Sequence, residues 1–293
     1  MQRRAFLKIL GIFSLFSQWF IKVLSAAEMP VVAVAEGEDH ARITRNAIAA
    51  LGGMGRFVKP GSIVVVKPNI GWDRGVEYAA NTNPVVVRAV VDECLRAGAK
   101  KVKIFDRTCN DERRCYVNSG IESALKGIKQ VEVKHPEKER FKKVTLNGKA
   151  LQEWELYGEA LSADVYINVP VAKHHTLSRL TLGLKNVMGI MGGNRGSIHT
   201  HLDTAIADVN AVFKPHLTII DATRVLTNHG PQGGDLRDVK VLNKVIASTD
   251  VVAADAYATT LFGLRPEDIA VTVAAHKRGI GEMDLKKIRI VKV

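Results

Sequence analysis

Between Asn168 and Asn210 the chain reads NVPVAKHHTLSRLTLGLKNVMGIMGGNRGSIHTHLDTAIADVN, which holds His174, His175, His199 and His201, four of the nine histidines. Lys173, Lys185, Arg195, Asp203 and a glycine-rich turn accompany them. Histidine titrates near neutrality and ligates metals, lysine and arginine hold anions, and glycine lets a backbone approach a ligand closely. The segment has the ingredients of a site without naming a reaction.

His199-Thr200-His201-Leu202-Asp203 spaces three candidate ligands two apart. In an extended segment this puts His199, His201 and Asp203 on one side, where they would take a divalent metal. In the other reading Thr200 or Asp203 caps the next helix and the histidines face solvent. Lys185-Asn186 lies in an otherwise apolar run, so the lysine either snorkels to the surface or sits in a pocket that tunes its pKa and nucleophilicity. Gly192 to Ser197 precedes an expected helix, so Arg195 and free backbone N–H groups either cradle a phosphate or carboxylate or form a lid. The segment lacks the Gly-Lys-Ser/Thr ending of a phosphate-binding loop, and it is no dinucleotide fingerprint. Lys67-Pro68-Asn69 places a cation and an amide on a stiffened turn, for a ligand or for the backbone itself. The loop from His229 to Gly234 either closes over a crevice or is plain surface.

Short valine- and isoleucine-rich runs alternate with helical periodicity, which predicts an α/β fold: a mainly parallel sheet with helices on both faces and a small antiparallel excursion. Strands are expected over 30–35, 62–67, 101–106, 130–134, 164–169, 217–221 and 287–293. Helices are expected over 41–51, 84–97, 118–126, 180–190, 202–213, 251–262 and 267–278. Asn83 before Pro84 marks a capped helix start, and Lys142 to Leu146 with Asn147-Gly148 reads as a hairpin arm. Open parallel sheets bind ligands outside the carboxyl ends of their strands. Lys67-Pro68-Asn69, Asp106-Arg107-Thr108, Lys173-His174-His175 and Asp221 follow four such ends and are expected to share one crevice.

Gln2-Arg3-Arg4-Ala5-Phe6-Leu7-Lys8, an apolar run from Ile9 to Leu24 and Ser25-Ala26-Ala27 look like a twin-arginine export signal cut after Ala27. The expected location is periplasmic or otherwise outside the cytoplasmic membrane. The alternative is an uncleaved anchor, although Ser14, Ser17, Gln18 and Lys22 make the run weakly apolar for a spanning helix. Residues 1–27 are then the signal and 28–293 a single α/β domain, with membrane contact only through the signal segment. The formal charge of +12 falls to +8 when Arg3, Arg4, Lys8 and Lys22 leave with the signal, since no acid leaves with them. A basic chain favours an anionic ligand. Only 6% aromatic residues and no nucleic-acid motif argue against nucleic acid as that partner.

Three cysteines cannot supply the four thiolates of an ordinary iron–sulphur cluster, so none is expected in this chain. Cys94 has helical spacing with Val87, Val90 and Val91 and reads as core. Cys109 and Cys115 flank a charged loop, either paired or apart, and neither is expected to serve the site.

VVVKPNIGW, NVPVAKHH, LGLKNVMGIMG, HLDTAIADVN, LTIIDA and the GPQGG loop together resemble the family known as domain of unknown function 362, across most of the chain after Val31. The resemblance implies an α/β core but no settled reaction, and the iron–sulphur module of some members has no counterpart here. His175, Lys185 and His201 also have spacing similar to that of the nickel-pincer lactate racemases, in which a lysine anchors the cofactor and histidines ligate nickel or act as acid and base. The expected site therefore has Lys185, His175 and His174 as catalytic groups. Lys67, Asn69, Arg107, Lys173, Asn186 and Arg195 bind the ligand, and His199, His201 and Asp203 hold a metal. The expected partner is an anionic small molecule or cofactor. The competing expectation is a non-catalytic cofactor-binding or maturation factor for a redox-protein partner.

Overall fold

In a computed structural model the described residues are 29–293; the expected signal, residues 1–27, lies outside them. In chain order the strands are β1 (Val31–Glu36), β2 (Ile63–Pro68), β3 (Lys101–Ile104), β4 (Val131–Val133), β5 (Phe141–Thr145), β6 (Glu153–Tyr157), β7 (Val165–Val169), β8 (Val171–His175), β9 (Arg179–Thr181), β10 (Leu217–Leu226), β11 (Val239–Ser248) and β12 (Arg289–Lys292). The helices are α1 (His40–Ala49), α2 (Pro84–Arg96), α3 (Glu112–Asn118), α4 (Ile121–Leu125), α5 (Gly158–Leu161), α6 (Gly183–Asn186), α7 (Leu202–Val212), α8 (Val251–Thr260) and α9 (Ala270–Lys277). Ten strands form one sheet, ordered β12-β1-β11-β10-β7-β2-β3-β4, with β8 on β10 and β9 on β8; β5 and β6 pair separately. Its centre is parallel, from β10 through β7, β2 and β3 to β4. β11 runs antiparallel between β1 and β10.

A central parallel strand is covered on both faces, which is why Val64, Val65 and Val66 are all buried. Val64 and Val66 share a core with Ile43 and Ile48 of α1 and Val87 and Val90 of α2, and α3 and α4 extend that layer. Val65 joins Tyr166, Ile220 and side chains of α6, α7, α8 and α9 in a second core on the opposite face. The mainly parallel, helix-covered α/β fold is thus the one the sequence predicts. Asn83 caps α2 by accepting from the Val85 N–H, with Pro84 in the first turn. The expected hairpin arm is β5, antiparallel to β6. Among the described residues no helix is long and apolar enough to cross a membrane.

Four expectations differ from the structure. The strand starting at Leu217 continues to Leu226 and pairs with β11, where the sequence predicts no strand. The helix expected over 118–126 breaks at Gly120, whose φ of +76° separates α3 from α4. His174 and His175 end a strand instead of lying in a loop. The helix expected over 180–190 is β9, one turn of α6 and a 3-10 turn at Val187–Ile190. Tertiary hydrogen bonds hold that short turn in place of the intrahelical ones.

Asp255 of α8 accepts from the N–H groups of Gly183 (2.7 Å) and Leu184 (2.9 Å) at the start of α6. Asn168 Nδ2 donates to Gly183 O at 2.9 Å, and Asn210 Nδ2 to Leu184 O at 3.0 Å. A Cβ on Gly183 would lie 2.8 Å from Asp255 Oδ1, so this close approach requires glycine. Lys185 is therefore set in place by α8, β7 and α7 together. Asp255→Ala should destabilise the fold by about 1 to 3 kcal/mol for each orphaned buried donor. Asp255→Asn, which keeps one acceptor oxygen, should lose less. Urea denaturation reads both, and an unchanged midpoint in the alanine variant would contradict the pinning.

Candidate functional site

The carboxyl ends of β2, β3 and β8 and the turn of α6 surround a cavity of about 590 Å³. Its floor is a buried ion pair. Lys67, 1% exposed, donates to Asn186 O (2.7 Å) and Asn186 Oδ1 (2.7 Å) and is ion-paired with Asp106 Oδ1 (2.8 Å). Burial pulls the Lys67 pKa down, and the Asp106 carboxylate pulls against that shift. Asp106 Oδ2 accepts the Ile70 N–H at 2.6 Å, and Asn186 Nδ2 donates to Lys67 O and Asn168 Oδ1. Gly189 crosses directly over the pair: a Cβ there would stand 1.7 Å from Asp106 Oδ1. The charge of Lys67 is thus neutralised within the protein.

The arginines are also largely committed. Arg107 Nη1 donates to Met191 O (3.0 Å) and Gly193 O (2.9 Å), while Arg195 donates to the carbonyls of Arg107, Met188 and Thr108. Together they staple segment 188–195 to the end of β3, and their charges remain at the cavity wall. Lys173 Nζ donates to Ala80 O and, at 3.4 Å, to Asn69 Oδ1, which leaves one N–H. Burial, with the Lys185 and Lys67 charges adding to it, pushes its pKa down to about 7.

Lys185 is different. It is 9% exposed, and its Nζ has a thioether neighbour, Met188 Sδ at 3.5 Å, a weak acceptor. Burial, reinforced by Arg195 and Lys67, pushes its pKa down to about 8. His175 lines the same cavity, its Nδ1 accepting the Leu177 N–H at 3.1 Å.

Of the residues singled out by sequence, Lys67, Asn69, Arg107, Lys173, His175, Lys185, Asn186, Arg195 and His199 line this one cavity. His174, His201 and Asp203 do not. Successive side chains on a strand point to opposite faces, so His174 turns away from His175; its Nδ1 accepts the Gly230 N–H and it borders another groove. The expected extended His-x-His-x-Asp segment is absent. Residues Arg195–His201 form a 3-10 helix and Asp203 lies in the first turn of α7. At about three residues per turn, positions two apart face different ways, so His199, His201 and Asp203 do not share a side. Among the described residues no group of three or more His, Cys, Asp or Glu could hold a metal. Asp221, expected at the fourth strand end, lies within β10 and is buried elsewhere, accepting from Asn83 N and from Thr223 N and Oγ1.

Cys109, Trp72 and Thr181 line the cavity without having been expected there. Cys109 and Cys115 are free thiols, the first exposed and the second buried in α3. Trp72 closes the VVVKPNIGW motif and could have been read from it. Cys109 follows Asp106 by three residues, and the charge of its loop masked that proximity.

Residues 64–260 match the family described as Domain of unknown function (DUF362). The chain belongs to that family. A thylakoid-associated protein of Synechocystis sp. is 29% identical over 244 residues, covering 80% of this chain and 74% of the relative. The solved lactate racemase apoprotein from Thermoanaerobacterium thermosaccharolyticum shares the fold, with a TM-score of 0.51 and 12% identity over 78% of this chain. This DUF362 chain spans 56% of that racemase chain. The histidine–lysine–histidine spacing similar to the racemases brings His175 and Lys185 to the cavity and leaves His201 exposed outside it. A metal held between those two histidines does not fit this arrangement.

The buried cations dictate a pH dependence of the DUF362 fold. Lys173 and Lys185 release protons near 7 and 8 when folded, against an ordinary value of 10.5. Between those limits the unfolded chain binds more protons, so stability rises with pH. Asp255 acts oppositely, its carboxyl pushed by burial from 3.8 up to about 7, and its contribution falls across that lower window. Ligand-free protein should therefore gain stability from about pH 7 to about pH 9, and Lys185→Met should flatten the rise in urea titrations. A wild-type curve that falls across this window would refute the assignment.

Proposed function

We propose that the protein is an enzyme that acts on an anionic small molecule, or on a bound anionic cofactor, in the Lys185 cavity. The observation that carries this reading is a buried ammonium facing the cavity with no oxygen partner from the protein. A buried charge is costly unless it is paired. Asp106 is already committed to Lys67, so the missing negative charge belongs to the ligand. With its pKa near 8, Lys185 exchanges a proton close to neutrality, which suits it to general acid–base work. Trp72, Leu177 and Met188 supply an apolar wall for the rest of the ligand. The name of the fold neighbour, lactate racemase, supports small carboxylates as the first class to try.

The second reading is a non-catalytic factor that holds a cofactor for a redox-protein partner. It is favoured by His174 facing away, which leaves Lys185 without a histidine pair for two-base chemistry. In either reading the Arg3-Arg4 pattern supports delivery across the cytoplasmic membrane, as a released or an anchored protein.

Calorimetric titration with lactate, pyruvate, phosphate and sulfate tests the proposal. At least one should bind, with affinity falling as pH rises past about 8 because the ammonium is lost. Lys185→Met should weaken that binding by about 10- to 100-fold, and His201→Ala should leave it unchanged. Undiminished binding by Lys185→Met would overturn the reading, and turnover of the bound anion separates the enzyme from the carrier.

A further inference from the structure

The backbone fixes the proton of His175. Its Nδ1 accepts the Leu177 N–H at 3.1 Å and is approached by the Ser178 N–H at 3.4 Å. A backbone N–H can only donate, so Nδ1 carries no proton, and the neutral ring must carry its proton on Nε2. The ring is buried against the cavity, and among the described residues no protein group hydrogen-bonds Nε2. A second proton on the ring would have to sit on Nδ1, against two donors. It would also face the charges of Lys185 and Lys173 and the neighbouring rings of His199 and His174. Burial first, and these groups after it, push the His175 pKa down to about 3.

We propose that His175 is a permanently neutral hydrogen-bond donor that presents Nε2–H to an oxygen of the bound anion, and that it serves there as neither proton acceptor nor metal ligand. This rests on the anion-binding reading of the cavity. Three further free groups agree with it. Lys185 is without an oxygen partner, Lys173 keeps one N–H, and Thr181 Oγ1 is buried and unpaired. Each can donate, while the Asp106 carboxylate is spent on Lys67 and Ile70. Such a set recognises an oxyanion and disfavours a cation or a neutral donor. It assigns His175 a job of orientation and polarisation, and leaves proton exchange to Lys185.

Long-range proton–nitrogen NMR on histidine-labelled protein without ligand tests the first half. His175 should show the Nε2–H tautomer and no titration from about pH 5 to about pH 8, the range in which an ordinary histidine titrates. An Nδ1–H tautomer, or a titration within that range, would overturn the proposal. The second half is read with the anion that binds best among lactate, pyruvate, phosphate and sulfate. His175→Gln, whose amide can donate from the Nε2 position, should bind within about tenfold of wild type, and His175→Phe should lose about 10- to 100-fold. Equal binding by the phenylalanine variant, with folding checked by circular dichroism, would remove His175 from the ligand. If wild-type protein binds none of the four anions, the anion-binding reading and the donor's role toward an anion fall together, and the NMR result still decides the tautomer.

Discussion

The buried pair of Lys67 and Asp106 is the constraint on which the rest of the site depends. Lys67 is the last residue but one of β2, Asp106 follows β3, and Asn186 ends α6, so one ion pair and its hydrogen bonds tie two central strands to the turn that carries Lys185. Removing one member of such a pair leaves an uncompensated buried charge, at a cost of roughly 3 to 5 kcal/mol. The same closeness dictates Gly189, because any side chain there would enter the pair. Cancelling Lys67 within the protein also leaves Lys173, Lys185, Arg107 and Arg195 facing the cavity with the nearest carboxylate already used.

Charge and hydrogen bonding separate at this point. Arg107 and Arg195 contribute field to the cavity while their N–H groups hold backbone carbonyls. Lys185 contributes both field and free donors, with only a sulphur beside it. The two classes have different consequences on substitution. Loss of an arginine staple should loosen segment 188–195, whereas loss of Lys185 should leave the fold standing and empty the cavity of its ligand's counter-charge.

The fold was readable because its signals are local and repeated. Valine-rich strands buried on both faces and a proline-led, asparagine-capped α2 need no tertiary knowledge. The failures lie where tertiary bonds override local pattern. β8 carries Lys173, His174 and His175, charged and polar residues that a strand tolerates only because the cavity and the neighbouring groove receive them. β11 begins in a half-exposed stretch around Lys240, Asn243 and Lys244, where the apolar alternation is diluted. Residues 182–190 have helical spacing, yet Asp255, Asn168, Asn210 and Lys67 draw their backbone into a single turn. Nine of the twelve expected site residues still meet in one cavity, because residues that follow adjacent parallel strands must emerge at the same edge. Of the three that do not, His201 and Asp203 rest on alternation in a segment that is helical instead of extended, and His174 rests on a loop position that is part of a strand, where neighbours face opposite ways.

The central claim is that Lys185 is the free buried ammonium awaiting an anion. Carbon NMR of the lysine Cε resonances, with Lys185 assigned by comparison with Lys185→Arg, measures it most directly. The account predicts that Lys185 titrates near 8 in ligand-free protein and moves upward when an anion binds. A Lys185 that titrates near the ordinary 10.5, unchanged by any bound anion, would contradict it.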